Sequence, residues 1–319
     1  MMTPEEAAAW RLFVCNWRVL GAMTATLVAV LAVTPFWIEP VSALLPVAVI
    51  GGYAGYTYYH LRHSQQRDPF VIFTLGTTSQ MLLIPAVMTP LTYIAASADL
   101  PLQDTVLHAV DGALHLDWVA YYNFFYTHHA LLAAAVWSYS LIGCPVFGVP
   151  IALGWTERYR RLQVFTLAFA IALIATTIIS AFVPAIGTYK LLHVRFDPDV
   201  FTPGGYLSQL HALPLVRNGT LREMSFRSLA GLVTFPSFHA ASAVLYLWAL
   251  WPVRWLGPVA AVANVMMVLA APVVGGHYFV DIFAGIAVAI GAIAAATCIA
   301  NRLVGETRLP TLAAPLAAE

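Results

Sequence analysis

Long uninterrupted apolar runs alternate with short polar connections along almost the whole of this chain. The runs fall near residues 15 to 37, 40 to 59, 70 to 96, 124 to 154, 163 to 187, 235 to 252, 256 to 274 and 278 to 300. They lack the every-second-residue alternation of barrel strands, and most are long enough for a helix to cross a hydrocarbon layer of about 30 Å. The pattern therefore predicts an all-α polytopic membrane bundle of about eight transmembrane helices. Gly143, Pro145, Gly148 and Pro150 interrupt the fourth run, where a kink or a re-entrant break is expected. Two stretches stay polar. From Leu100 to Trp118, the residues Asp104, Asp111 and Asp117 suggest the wet face of an amphipathic helix lying at the outer interface. Residues 188 to 228 form the one long hydrophilic connection.

Composition agrees with the pattern. Of 319 residues 61% are hydrophobic and 9% charged, against the roughly 25% charge of a soluble domain, so the chain has too little wettable surface to cover itself. The formal net charge of zero argues against a nucleic-acid partner. Cys15, Cys144 and Cys298 lie singly inside apolar runs and read as packing residues. The isolated histidines His108, His115, His128 and His129 read the same way.

The arginines orient the bundle. Arg11, Arg18, Arg62, Arg67, Arg158, Arg160, Arg161, Arg254, Arg302 and Arg308 all fall on one side of the alternation, which is expected to be cytoplasmic together with both termini. The remaining cations, Lys190, Arg195, Arg217, Arg222 and Arg227, sit in the long connection on the other side. Either that loop is long enough to escape the bias, or some of these residues bind an anion. The same alternation brings His239 and His277 to the outer mouths of the sixth and eighth runs, beside the cationic loop.

Those mouths carry the candidate chemistry, Thr234-Phe-Pro-Ser-Phe-His239 and Gly275-Gly-His-Tyr-Phe-Val-Asp281. His277 and Asp281 stand four apart, so on a helix they share a face and the carboxylate can fix the tautomer of the imidazole. A helix N-terminus offers unpaired amides to a phosphate. Pro236 suits a first helical position, Thr234 or Ser237 can cap or donate, and Gly275 and Gly276 allow close approach just before His277. Two histidines divide the work if one attacks phosphorus and the other protonates the leaving oxygen. Buried ionisable groups inside spans are costly, which favours a functional role for His277 and Asp281.

Pro236-Ser-Phe-His239 resembles the second motif, and His277 with Asp281 the third, of the phosphatidic acid phosphatase type 2 superfamily. The wording Gly-His-Tyr-Phe-Val-Asp-Ile-Phe-Ala-Gly is most similar to the branch of inositolphosphorylceramide synthase and related lipid phosphotransferases. The resemblance implies that His277 forms a phosphoenzyme, Asp281 orients it and His239 donates the proton, with no metal or other cofactor. It implies a six-helix catalytic core over residues 70 to 300, preceded by two additional helices in residues 1 to 69 and followed by a cytoplasmic tail, 301 to 319. The chain departs from the family pattern in three places. Ala270 and Ala271 stand where the third motif has Ser-Arg, Phe238 replaces the glycine before the second-motif histidine, and the first motif, a lysine followed seven residues later by Arg-Pro, is absent. Phosphate-binding cations must then come from elsewhere. Lys190 and Arg195 are the first candidates, with Arg217, Arg222 and Arg227 behind them and Ser237 and Gly276 at the helix mouths.

The resulting expectation is an integral membrane enzyme, in a bacterial inner membrane or its equivalent, that acts on a phospholipid or sphingolipid phosphate ester at the outer face. Water as acceptor makes it a phosphatase; the hydroxyl of a second lipid makes it a phosphotransferase. A proton-coupled transporter of an anion or lipid is the alternative from another class, although residues 1 to 160 and 161 to 319 show no internal symmetry. An inactive scaffold of the same fold is a third.

Overall fold

The structure, a computed structural model, describes residues 3–65 and 67–305. Arg308 and all but the first residues of the expected tail lie outside the described residues. Thirteen α-helices follow one another among them. They are α1 (Pro4–Val33), α2 (Pro40–His63), α3 (Pro69–Ala96), α4 (Asp104–Ala113), α5 (Trp118–Thr127), α6 (His129–Ser140), α7 (Pro145–Trp155), α8 (Tyr159–Phe182), α9 (Thr188–Leu191), α10 (Gly204–Arg217), α11 (Phe238–Leu250), α12 (Leu256–Gly275) and α13 (Phe279–Gly305). Two residues of strand, Trp37–Ile38 (β1), pair in parallel with Glu223–Met224 (β2).

Six of these helices, α1, α2, α3, α8, α12 and α13, are long and apolar enough to cross a membrane. The expected eight spans are thus corrected at two places. The fourth run, broken by its glycines and prolines, folds as His129–Gly143 and Pro145–Trp155 with a bend of 69°, and counts as a seventh span only if the pair is taken as one. The sixth run yields α11, only 13 residues long, or about 20 Å of rise against the ~30 Å of a bilayer core. It starts late because Ser237 caps it, the Ser237 hydroxyl accepting from the Ala240 amide.

The largest apolar core lies among α1, α3, α7, α8, α11 and α13. α1 is bound into it by buried polar groups: Asn16 Nδ2 donates to Gln163 Oε1 at 3.1 Å, and Gln163 Nε2 donates to Thr77 Oγ1 at 2.7 Å. Such bonds link helices where lipid offers no partner. α2 packs mainly on α3. A second core gathers α5, α6, α9, α10 and α12.

The two ends of the bundle differ. At one, Arg160 donates to Asn301 Oδ1 at 2.8 Å, joining the start of α8 to the end of α13. Nearby, Arg161 donates to the carbonyls of Trp248 and Ala249 and lies 4.1 Å above the Trp248 ring. The opposite end carries both motif histidines. There the long hydrophilic connection is not an open loop; it folds into α9, α10 and β2, and β2 fastens it to the segment between α1 and α2. Glu39 Oε2 accepts from the Ser225 hydroxyl at 2.6 Å beside that pairing.

Candidate active site

The two motifs meet through their backbones. The Ser237 amide, just ahead of α11, donates to the Asp281 carbonyl in the first turn of α13 at 3.0 Å. Gly285 lies one turn further along α13, and a Cβ there would fall 2.2 Å from the Ser237 carbonyl oxygen. The two helix starts are therefore in direct contact, and His239 and His277 line a single cavity of about 330 Å³.

His277 Nδ1 is 3.2 Å from Asp281 Oδ2, and the same oxygen accepts the Tyr278 amide at 2.9 Å. When the carboxylate is ionised it can only accept, which places the proton of a neutral imidazole on Nδ1 and leaves Nε2 its lone pair. Nε2 faces Gly275, lying 3.0 Å from the position a Cβ would take there. Gly276 has φ 68°, a left-handed conformation that ends α12 and turns the chain into His277. The turn is secured twice, by the Thr188 amide donating to the Gly276 carbonyl at 2.9 Å and by Trp118 Nε1 donating to the His277 carbonyl at 3.1 Å.

His239 stands in the first turn of α11, stacked on Tyr139 of α6 with ring centroids 3.7 Å apart and planes 12° from parallel. The Tyr139 hydroxyl reaches the opposite wall. It lies 2.6 Å from the missing Cβ of Gly275 and 2.7 Å from that of Gly205, at the start of α10. Nothing in the local sequence marks Tyr139, because contact between α6 and α11 depends on how the broken fourth run folds.

The acidic residues of α4 correct their sequence reading. Asp111 is 1% exposed, and its carboxylate accepts the amides of Phe279 at 2.8 Å and Val280 at 2.9 Å. It caps α13 from another helix, a local pattern-breaking role that spacing cannot reveal. Burial raises its pKa above the ordinary carboxylate value, and the two amides and His108 partly offset that. Asp104 accepts the amides of Ile186 and Gly187 and the Tyr278 hydroxyl at 3.0 Å. Burial, then Asp104, pushes the Tyr278 phenol well above its usual range. Asp117 caps α5 through the Ala120 amide. The histidines expected as packing residues, His108, His115, His128 and His129, are instead exposed.

The five cations of the connection are placed apart from the histidines, and none lines the cavity. Arg217 pairs with Asp99 at 2.7 Å. Arg222 donates to the Val216 carbonyl at 2.8 Å and sits 4.5 Å above the Phe36 ring. Lys190, Arg195 and Arg227 are exposed. Ser237 is buried as the α11 cap. Ala270 and Ala271 are fully buried in α12. Besides the two imidazoles and the Tyr139 hydroxyl, the polar lining of the cavity consists of Thr89, Thr92, Ser208, Gln209 and Thr234, none of them ionisable.

A family model described as the PAP2 superfamily matches residues 105–295, a stretch that holds both histidines, Asp281, Tyr139, Asp111 and the whole connection. No curated protein and no solved structure matches the chain.

Proposed function

The chain belongs to the PAP2 superfamily, and on that premise we propose that it is a membrane-embedded phosphatase or phosphotransferase of lipid phosphate esters, working through a phosphohistidine on His277. The observation that carries the reading is the pairing of His277 Nδ1 with the buried Asp281 carboxylate while His239 faces the same cavity.

In the proposed reaction the Nε2 lone pair attacks phosphorus, the N–P bond forms and the ester P–O bond breaks. The electron pair of that bond goes to the leaving oxygen, which takes a proton from His239. Asp281 stabilises the imidazole as it becomes cationic and holds its ring toward the cavity. In the second half the acceptor hydroxyl, of water or of a lipid alcohol, loses its proton to His239 as its oxygen bonds phosphorus and the N–P bond breaks. The acceptor's proton thus replaces the one given to the leaving group, and the enzyme returns unchanged.

The bundle end that carries the histidines is opposite the end where Arg160 and Arg161 cluster, and the bias of arginine toward the cytoplasm supports an extracytoplasmic site. Cavity walls contributed by Pro85, Ile142 and Leu173 suit an apolar portion of the substrate.

Purified protein in detergent, given a lipid phosphate ester labelled at phosphorus, should release label and carry some of it on the polypeptide as an acid-labile, alkali-stable adduct. His277→Ala should abolish both. Turnover without a membrane gradient argues against a transporter, and undiminished turnover in His277→Ala would refute the mechanism. Adding a lipid alcohol separates the two activities, since label passing into a new lipid identifies a transferase and free phosphate alone a phosphatase.

A further inference from the structure

The cavity poses an electrostatic question. A phosphoryl group gathering charge in the transition state needs donors aimed at its oxygens, yet among the described residues no lysine or arginine lines the cavity. The Ser-Arg pair of the third motif is replaced by small apolar side chains, Ala270 and Ala271, so its one cation is missing too.

One side chain is placed to supply a donor. Tyr139 lies with its ring flat on His239, and its hydroxyl approaches the same point in space that His277 approaches. The Tyr139 oxygen and the His277 Cδ2 are each 2.6 Å from where a Gly275 Cβ would stand. A second glycine, Gly205, leaves the hydroxyl room from the other side, since a Cβ there would come within 2.7 Å of it. Tyr139 is 8% exposed and lines the cavity. Its hydroxyl has no hydrogen-bond partner among the described residues, unlike the Tyr121, Tyr189, Tyr246 and Tyr278 hydroxyls, which each donate to a protein oxygen. The hydroxyl borders the cavity, where an acceptor bound beside His277 can meet it.

We propose that Tyr139 is a catalytic residue of the phosphoryl-transfer site, its hydroxyl donating a hydrogen bond to a non-bridging phosphoryl oxygen while its ring holds His239 in the plane from which it transfers the proton. This rests on the reading of His277 and His239 as the reacting pair. A neutral donor stabilises the developing charge without a fixed cation, which fits a cavity whose other polar groups are hydroxyls and an amide. The bend in the fourth run thereby gains a purpose, for it is α6 that delivers this ring.

The test compares Tyr139→Phe, Tyr139→Leu and His277→Ala with the unaltered protein on one labelled lipid phosphate ester. Tyr139→Phe keeps the stack and removes only the donor. A transition-state donor predicts that kcat and kcat/KM fall together by about 100-fold, with the thermal midpoint unchanged and the phosphorylated adduct forming more slowly. Tyr139→Leu, which also removes the stack, should fall further and shift the pH profile of kcat, since the environment of His239 changes. If Tyr139→Phe turns over within about threefold of the unaltered protein while His277→Ala is inactive, the role of Tyr139 is overturned and the histidine mechanism stands. If His277→Ala is itself active, the underlying reading fails, and Tyr139 with it.

Discussion

The Ser237 amide donates to the Asp281 carbonyl at 3.0 Å, so the two histidine motifs are joined backbone to backbone rather than merely facing one another. Ser237 is also the cap of α11, and Asp281 the partner of His277. Movement of either helix start relative to the other would disturb the cap, the imidazole and the cavity together.

Gly285 tests that junction. A methyl group there would meet the Ser237 carbonyl oxygen at 2.2 Å and Ala240 Cβ at 3.2 Å, and backbone cannot yield as a flexible side chain can. Gly285→Ala is expected to cost about 3 kcal/mol of stability and most of the turnover. Thermal unfolding in detergent, read beside the activity of the surviving folded fraction, checks it; a fully active, equally stable variant would mean the helices separate at little cost.

Asp281→Asn keeps the shape of the buried side chain and removes its charge. The amide can present its NH2 to Nδ1 and so favour the wrong tautomer, leaving Nε2 protonated. By analogy with other carboxylate–histidine pairs, kcat should drop by about 10³- to 10⁴-fold with the fold retained. Circular dichroism establishes the fold, and the yield of phosphorylated adduct reports the loss.

Asp111→Ala strips the cap from α13 and leaves the amides of Phe279 and Val280 without an acceptor inside the protein, at a cost of about 1–3 kcal/mol. Asp111→Asn still offers one carbonyl oxygen and should be milder. Because burial raises the folded pKa of Asp111, the folded state keeps a proton that the unfolded chain has released, and stability from this residue falls as pH rises through the folded value. The cost of Asp111→Asn should therefore shrink with rising pH. Melting both proteins between pH 4 and 8 would show the gap narrowing or, against this account, widening.

Arg222→Ala removes a ring contact with Phe36 and a bond to the Val216 carbonyl, so its effect should appear in thermal stability before it appears in kcat. Lys190→Ala and Arg195→Ala alter exposed side chains and should change turnover by less than about threefold. A far larger loss with normal stability would bring the connection back as a phosphate-binding element, folding over the cavity when substrate is present.

The sequence alone determined the membrane class, the helical architecture, the approximate position of the long helices except the start of α1, which begins at Pro4 rather than near residue 15, and the break in the fourth run, because length, apolarity and proline are local properties that hydrocarbon reads directly. It also singled out His239, His277 and Asp281 as candidates; the His277–Asp281 contact forms with His277 in the turn ahead of α13, not on the shared helix face that the spacing of four predicted. Tertiary structure alone decided what surrounds them. Asp111 caps α13 from α4, Tyr139 covers His239 from α6, Arg217 and Arg222 turn to Asp99 and Phe36, and α11 stops short of a full span. Each of these depends on which elements become neighbours, a long-range outcome that no periodicity along the chain encodes.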